Sequence, residues 1–191
     1  AVAAGMTMLR LPVFTWTALA SCLLVIFSFP SLVVAFGLLL AERRGARVLD
    51  PIAYQHLFWF YGHPAVYVMF FPFVGLVAEA ASVFSGRRFF GYRVFVLALL
   101  AFTALSMSAW AHHMFTTGSV PNRLFALTST ALVVPAGIEY FDTIATLWKG
   151  AVRFLSEKMK EVPEKAREAL EDLVSPVECS DCEGRRLQLL T

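Results

Sequence analysis

The chain's four histidines lie in long apolar stretches, and three of them could share one centre: His63 in GHPAVY, and His112 and His113 side by side in AWAHHMF. An ionisable side chain is costly inside a membrane-crossing stretch, so each is a candidate functional residue. Three imidazoles without a thiolate suit copper, zinc or iron. Adjacent helical residues diverge by about 100°, but both imidazoles can reach a centre beside their helix. We therefore predict a metal site here, rather than histidines that only hydrogen-bond between helices.

The spacing of two further residues near His63, Tyr67 and His56, indicates different roles for them. Tyr67 follows His63 by four residues, so the two side chains share a helix face and can touch. His56 comes two residues after Tyr54, near the start of the same stretch. We interpret His56 as an interfacial or inter-helix hydrogen-bonding residue rather than a metal ligand.

Carboxylates below the histidines could carry protons. Glu139 and Asp142 lie in VPAGIEYFDTIATLW, and their i, i+3 spacing puts them on one helix face. Glu79 lies near the end of the histidine-bearing stretch. Asp142 and Glu79 could instead be interfacial residues close to water. A cluster of hydroxyls could extend a hydrogen-bonded chain or simply pack between helices, and it comprises Thr128, Ser129 and Thr130.

The composition identifies the class of protein that must position these residues. Of 191 residues, 58% are hydrophobic and 16% charged, against about 25% charged in a soluble domain. Residues 149–191 hold eight of the sixteen Lys/Arg and nine of the fourteen Asp/Glu. Residues 1–148 therefore cannot make a hydrated surface, which excludes a soluble globular enzyme. A net charge of +2 gives no basic face for nucleic acid, and three cysteines make no disulfide scaffold.

We predict an all-α, polytopic membrane fold, because a helix needs about 20 apolar residues to cross the hydrocarbon core. Residues 1–150 are predicted to form four membrane helices, at about 12–40, 54–83, 92–116 and 121–149. Prolines 30, 64, 72 and 135 fall inside them, which membrane helices tolerate where neighbours satisfy the freed carbonyls.

Loop charges predict the orientation, and the tail differs in kind. The positive-inside rule places the N-terminus, the second loop and the tail, residues 151–191, in the cytoplasm. An aromatic run over residues 54–61 would then lie near the outer interface. A short charged helix is predicted after Pro163. Cys179 and Cys182 are read as incidental thiols, because zinc normally takes four ligands and there is no second pair.

Several long motifs resemble one family. The runs DPIAYQHLFWFYGHPAVYVMFFP, WAHHMFTTG and PAGIEYFDTIATLWKG closely resemble subunit I of the haem–copper cytochrome c and quinol oxidases. The run GMTMLRLPVFTW resembles the same family just before its fifth membrane helix. Residues from about 5 to 150 therefore look like helices five to eight of that twelve-helix bundle.

The resemblance implies roles residue by residue. His63, His112 and His113 match the ligands of the copper called CuB, and Tyr67 matches the tyrosine cross-linked to His63. In the family, dioxygen is reduced to water between CuB and a high-spin haem, and protons are translocated across the membrane. The best-known branch has Glu where this chain has Ala65.

The family's usual lysine in the eighth helix is replaced by Glu139. We expect Glu139 to form the main proton route to Tyr67, with Glu79 at its entrance. Thr130 and Asp142 complete the set of candidate proton-path residues.

Counting histidines limits what the chain does alone. The family's subunit uses six, three for CuB and three for two haems, whereas this chain has four. No haem ligand is therefore identified here, and haem is expected only from the missing helices or a partner chain. We expect the chain to be a fragment or part of a split subunit, inactive by itself.

The expected partners are the remaining subunit I helices, subunits II and III, cytochrome c or quinol as electron donor, and dioxygen. The expected location is a prokaryotic plasma membrane. Two alternatives remain: a non-catalytic, oxidase-derived membrane scaffold, and a copper-binding membrane protein without haem.

Overall fold

The computed structural model describes residues 7–161 and residue 163, and the regular structure within them is helical. Five α-helices follow in chain order: α1 Val13–Arg43, α2 Pro51–Ser85, α3 Tyr92–Ser108, α4 Asn122–Ala131 and α5 Val133–Glu161. Two 3₁₀ segments accompany them, Met8–Arg10 and Trp110–Thr117. The charged helix predicted after Pro163 and the Cys179/Cys182 pair lie outside the described residues.

Within the described residues, four spans are long and apolar enough to cross a membrane: Val13–Arg43, Pro51–Ser85, Tyr92–Thr117 and Asn122–Lys158. The first two are single helices, whereas the third joins α3 to a 3₁₀ segment and the fourth joins α4 to α5. The predicted all-α membrane fold class is therefore confirmed.

The long helix α2 has clear start and stop signals. The Asp50 carboxylate accepts a hydrogen bond from the Ala53 amide at 2.6 Å, and Pro51 occupies the first helical position. A capping carboxylate and a proline in the first turn both favour helix initiation. Gly86 ends the helix at φ +62°, a left-handed conformation that glycine adopts without steric cost.

Proline 72 lies inside α2 and frees a carbonyl that α1 satisfies. A helical proline has no N–H, so the carbonyl of Val68 four residues earlier lacks its usual donor. The Ser21 hydroxyl on α1 lies 3.2 Å from this carbonyl and 3.1 Å from that of Thr17. Hydrogen bonding across the helices thus stabilises backbone that lipid could not solvate.

The third span differs from the predicted continuous helix over residues 92–116. The α-helix ends at Ser108, and Trp110–Thr117 continues as a 3₁₀ helix that stops at Gly118, φ +70°. Three residues per turn place Ala111 and Met114 on one face, and both are fully buried. His112 and His113 therefore project from a tighter helix than the sequence predicted.

The fourth span is also interrupted, at Leu132, where the sequence predicted one helix over residues 121–149. Pro135 explains the position, because its ring clashes with the carbonyl of the residue four positions earlier, Ala131. The second part, α5, also continues beyond the predicted end, to Glu161.

Helices α1 and α2 approach each other closely at Gly75. A Cβ added there would overlap the Thr17 hydroxyl and lie 3.1 Å from the Phe14 Cα. The main cluster of buried apolar side chains continues from this contact toward α3, and it includes Trp16, Ala20, Leu24, Phe71, Leu99 and Phe102.

Gly75→Ala is expected to destabilise the assembled complex by about 1–3 kcal/mol, because overpacking forces α1 and α2 apart. Gly37→Ala is the matched control, since Gly37 is also helical and an added Cβ meets nothing within 4 Å. Thermal unfolding of the purified complex measures both. Equal midpoints for the two variants would contradict this packing.

Candidate metal centre

The three predicted histidines converge, although they come from two separate elements. His63 projects from α2, and His112 and His113 from the 3₁₀ segment Trp110–Thr117. His63 Nδ1 lies 3.3 Å from His113 Nε2, which lies 3.0 Å from His112 Nε2. The three potential ligand atoms all lie within 4.8 Å of one another.

The three histidines differ in how deeply they are buried. His63 is buried, His112 is half-buried and His113 is exposed. The Trp59 indole stacks on the His113 ring, with centroids 4.1 Å apart and planes 9° from parallel. Gly62 leaves room for this indole, because a Cβ there would lie 2.9 Å from Trp59 Cε3. The site is therefore buried at His63 and accessible from outside at His113.

A hydroxyl outside the cluster fixes the orientation of His112. Ser129 Oγ donates to the Phe125 carbonyl at 2.5 Å and lies 2.6 Å from His112 Nδ1. With its hydrogen directed to Phe125, this hydroxyl can only accept from His112 Nδ1–H. His112 Nε2 then keeps its lone pair toward the other two histidines, the arrangement a metal-bound imidazole requires.

His63 presents its second nitrogen to a tyrosine. Its Nδ1 faces the cluster, whereas its Nε2 is buried and has no hydrogen-bond partner among the described residues. The Tyr67 ring lies one turn on, with centroids 4.9 Å apart and planes at 78°. Phe71 and Phe102 pack around the Tyr67 ring, at centroid distances of 5.9 and 5.0 Å.

The donor set fits a transition-metal ion. With His112 Nε2 unprotonated, His113 Nε2–H could serve only one of its two nitrogen neighbours, so the imidazoles cannot satisfy each other. A cation among them would remove this conflict, and metal–nitrogen bonds of about 2.0 Å agree with the nitrogen separations. An all-imidazole set is suited to copper, zinc or iron.

Glu139 is the most deeply buried carboxylate among the described residues, at 2% exposed. Neither of its oxygens has a hydrogen-bond partner there. It lines a cavity of about 190 Å³ between α2 and α5, against Phe70, Phe73 and Val77. These residues follow Tyr67 along α2, on the helix face that also carries His63. The carboxylate therefore lies on the same side of α2 as the tyrosine, nearer the C-terminal end of that helix.

The other proton-path candidates do not gather around Glu139. Asp142 is 8% exposed, and its carboxylate packs against Gly91, where no Cβ would fit. Glu79 lines a different cavity. It follows Val77 by two residues, which at about 100° per residue puts it on the other side of α2. The Thr130 hydroxyl is exposed and donates to the Ala126 carbonyl at 2.9 Å.

His56 stands apart from the metal cluster. The Trp110 indole donates to its Nδ1 at 3.3 Å, joining α2 to the 3₁₀ segment. This contact is the inter-helix hydrogen bond that the sequence indicated. The sequence did not reveal Trp59 as a neighbour of the centre, because the aromatic run was read as an interfacial belt. Its position four residues before His63 was the available signal.

A family model described as "Cytochrome C and Quinol oxidase polypeptide I" matches residues 1–161 of the chain. The chain belongs to this oxidase polypeptide I family. This match confirms the family resemblance that the sequence motifs indicated. Together with the four apolar spans, it supports the prediction of a multi-pass membrane protein.

Bacterial relatives agree with the family assignment. A "Probable cytochrome c oxidase subunit 1-beta" of Nocardia farcinica is 46% identical over 158 residues, covering 80% of this chain. A "Cytochrome c oxidase subunit 1" of Corynebacterium efficiens is 44% identical over 156 residues, covering 78%. The chain spans 27% of the length of each of these oxidase relatives.

Ser129→Ala is expected to weaken metal binding about 10- to 100-fold, because it removes the acceptor that orients His112. Copper retained by the purified complex during dialysis against a graded chelator measures this. Ser129→Thr keeps the hydroxyl and should restore binding. Thr130→Ala, one residue away on the exposed side, should behave as wild type. Equal retention by the Ser129→Ala and Thr130→Ala complexes would contradict an orienting role.

Proposed function

We propose that this chain supplies the copper-binding half of the dioxygen-reducing centre of a respiratory terminal oxidase. The convergence of His63 Nδ1, His112 Nε2 and His113 Nε2 beside Tyr67 carries the proposal. Copper at these nitrogens, with a haem from outside this chain, would supply the redox chemistry of dioxygen reduction. The chain's own residues hold the ligands, position the tyrosine and carry protons.

The pair His63 and Tyr67 is proposed to be covalently linked. The unpartnered His63 Nε2 and the tyrosine ring are held next to each other one helical turn apart. A bond from Nε2 to a ring carbon would replace one N–H and one C–H. This removes two electrons and two protons, for which dioxygen is the oxidant. The link would fix both rings and keep His63 Nδ1 aimed at the metal.

Glu139 is proposed to relay protons toward Tyr67. Its carboxylate is buried in an apolar cavity below the tyrosine, and its oxygens have no protein partner among the described residues, so water in the cavity could contact them. The α2 residues that line this cavity, from Phe70 to Val77, lie three to ten residues beyond Tyr67, or about 5–15 Å along the helix. Water molecules must therefore bridge the two groups, as in other intramembrane proton paths.

The proton entrance is assigned to the end of the bundle where α2 finishes. Gly150 on α5 packs against Ser85, so Glu79 and Asp142 both lie closer to this end than Glu139. Asp142 lies on the same helix as Glu139, whereas a proton from Glu79 would have to pass around α2 to arrive at Glu139. Thr130 is proposed only as an outer contributor, because its hydroxyl is bonded to the backbone of its own helix.

Haem and the electron donor must come from elsewhere in the complex. Three of the four histidines form the proposed copper cluster and His56 is hydrogen-bonded to Trp110, which leaves no further histidine in this chain for haem. The proposed partners are the remaining helices of the subunit and oxidase subunits II and III. The relatives' names favour cytochrome c over quinol as donor. By itself the chain is proposed to be inactive.

The proposed location is a bacterial plasma membrane. The relatives are bacterial, which supports this location. By the positive-inside rule, the basic loops favour a cytoplasmic N-terminus and tail.

Copper and haem per chain, with a reduced-minus-oxidised spectrum, test the proposal on the complex isolated from native membranes. Copper with two haems is expected. Copper without haem would indicate a copper-binding protein, and the absence of both copper and haem would indicate a scaffold. His112→Asn should lose the copper, whereas His56→Asn should retain it. Copper retained by both variants would contradict the assignment of the ligands.

Glu139→Gln is expected to lower oxygen turnover of the assembled complex at least about tenfold, because the amide cannot carry a proton. Copper content and the haem spectrum should not change, which separates proton delivery from loss of the centre. Glu139→Asp keeps a carboxyl group and should retain part of the activity. Undiminished turnover in Glu139→Gln would refute the relay.

A further inference from the structure

The Trp59 indole links the two elements that carry the three histidines. Trp59 lies on α2 about one turn before His63, and its ring stacks on His113 of the 3₁₀ segment with centroids 4.1 Å apart. The same indole packs against the buried apolar cluster that includes Met114. Helix α2 therefore provides one candidate ligand and also the support for a candidate ligand from the other element.

The indole has little freedom to leave this position. Its plane is 9° from parallel with the His113 ring, so the two rings are in face-to-face contact. The Phe58 ring meets it edge-on, with centroids 5.1 Å apart. A Cβ at Gly62 would lie 2.9 Å from Trp59 Cε3 and 3.3 Å from Cζ3. A side chain at position 62 would therefore displace the indole, and with it the support for His113.

Stacking on an indole suits an imidazole that binds a cation. A coordinated imidazole becomes electron-poor because it shares its lone pair with the metal, and the negative face of an indole attracts electron-poor groups. The stack should therefore be stronger with a metal bound than without one. A contact that strengthens when the metal binds contributes to the affinity of the site for that metal.

On the basis of the copper site proposed above, we propose that Trp59 and Gly62 are positioning residues for it. The stacked indole sets the plane of His113, and the absence of a side chain at position 62 allows the indole to stack there. Neither residue offers a ligand atom, so both act through His113. All of these contacts join residues of this chain, and they need no group from outside it.

Copper retained by the purified complex during dialysis against a graded chelator measures the effect, with the His112→Asn complex as the baseline for copper bound elsewhere. Gly62→Ala should lower retention about tenfold, the lower end of the usual cost of losing a partner that orients a metal ligand. Gly37→Ala is the matched control, since Gly37 is also helical and an added Cβ there meets nothing within 4 Å. This control should retain copper as wild type does.

Substitutions of Trp59 distinguish loss of the stack from a general disturbance of α2. Cε3 and Cζ3 belong to the outer ring of the indole, which phenylalanine lacks, so Trp59→Phe makes room for a methyl group and keeps an aromatic face. Gly62→Ala combined with Trp59→Phe should therefore retain more copper than Gly62→Ala alone. Trp59→Leu removes the aromatic face and should lower retention about tenfold. Adding Gly62→Ala to Trp59→Leu should cause no further loss, because the two residues act through one contact.

Electron cryomicroscopy of the Gly62→Ala complex gives a readout that does not depend on copper. The indole should be turned away from the His113 ring in this complex. If Gly62→Ala fails to assemble, Trp59→Leu, which adds no clashing atoms, tests the same contact through copper retention.

Three results would overturn the positioning role. They are equal copper retention by the Gly62→Ala and Gly37→Ala complexes, an additive loss when Gly62→Ala is combined with Trp59→Leu, and an undisturbed stack in the Gly62→Ala complex. A wild-type complex that holds no more copper than the His112→Asn complex would instead refute the copper site itself. The two failures are therefore distinguishable.

Discussion

Three imidazole nitrogens held within 4.8 Å of one another, two pairs of them at 3.0 and 3.3 Å, are the constraint on which the rest of the site depends. Neutral imidazoles so close cannot satisfy one another, so this arrangement costs free energy unless a cation joins them. The protein therefore has to hold each ring from behind. Ser129 holds His112, the Trp59 indole holds His113, and the tight packing of Tyr67 holds His63. These contacts would preorganise the site for the proposed metal.

The helix irregularities serve the same geometry. A continuous α-helix through residues 110–117 would advance 1.5 Å per residue, whereas the 3₁₀ segment rises about 2.0 Å and turns 120° between neighbours. The histidine pair thus lies on the segment that follows α3, and this segment has a buried face of its own. Ala111 and Met114 on that face pack against Phe125. The break at Leu132, imposed by Pro135, separates the short helix that carries Ser129 from the one that carries Glu139. Each helix can then be positioned by its own contacts.

Much of this could be predicted from the sequence, because apolar length and residue type indicate membrane spans and candidate metal ligands directly. The fold class, the three histidines and the proximity of Tyr67 follow from local spacing. The 3₁₀ segment, the stacking of Trp59 and the hydrogen bond from His112 to Ser129 depend on contacts between elements far apart in sequence. Spacing alone also could not place Glu79 and Glu139 in different cavities, since that depends on which side of α2 each neighbouring helix occupies.

The two sides of α2 border two different cavities. One stripe carries His63 and Tyr67 and continues to the cavity of Glu139, and it contains no basic group. The opposite side packs against α1 through Gly75 and Ser21 and ends at Glu79 and a cavity that Arg10 and Arg88 also line. A carboxyl group near basic side chains would be held in its charged form, which would hinder its uptake of a proton. Placing the basic groups behind α2 keeps them away from Glu139, as the proposed proton relay through this carboxyl group requires.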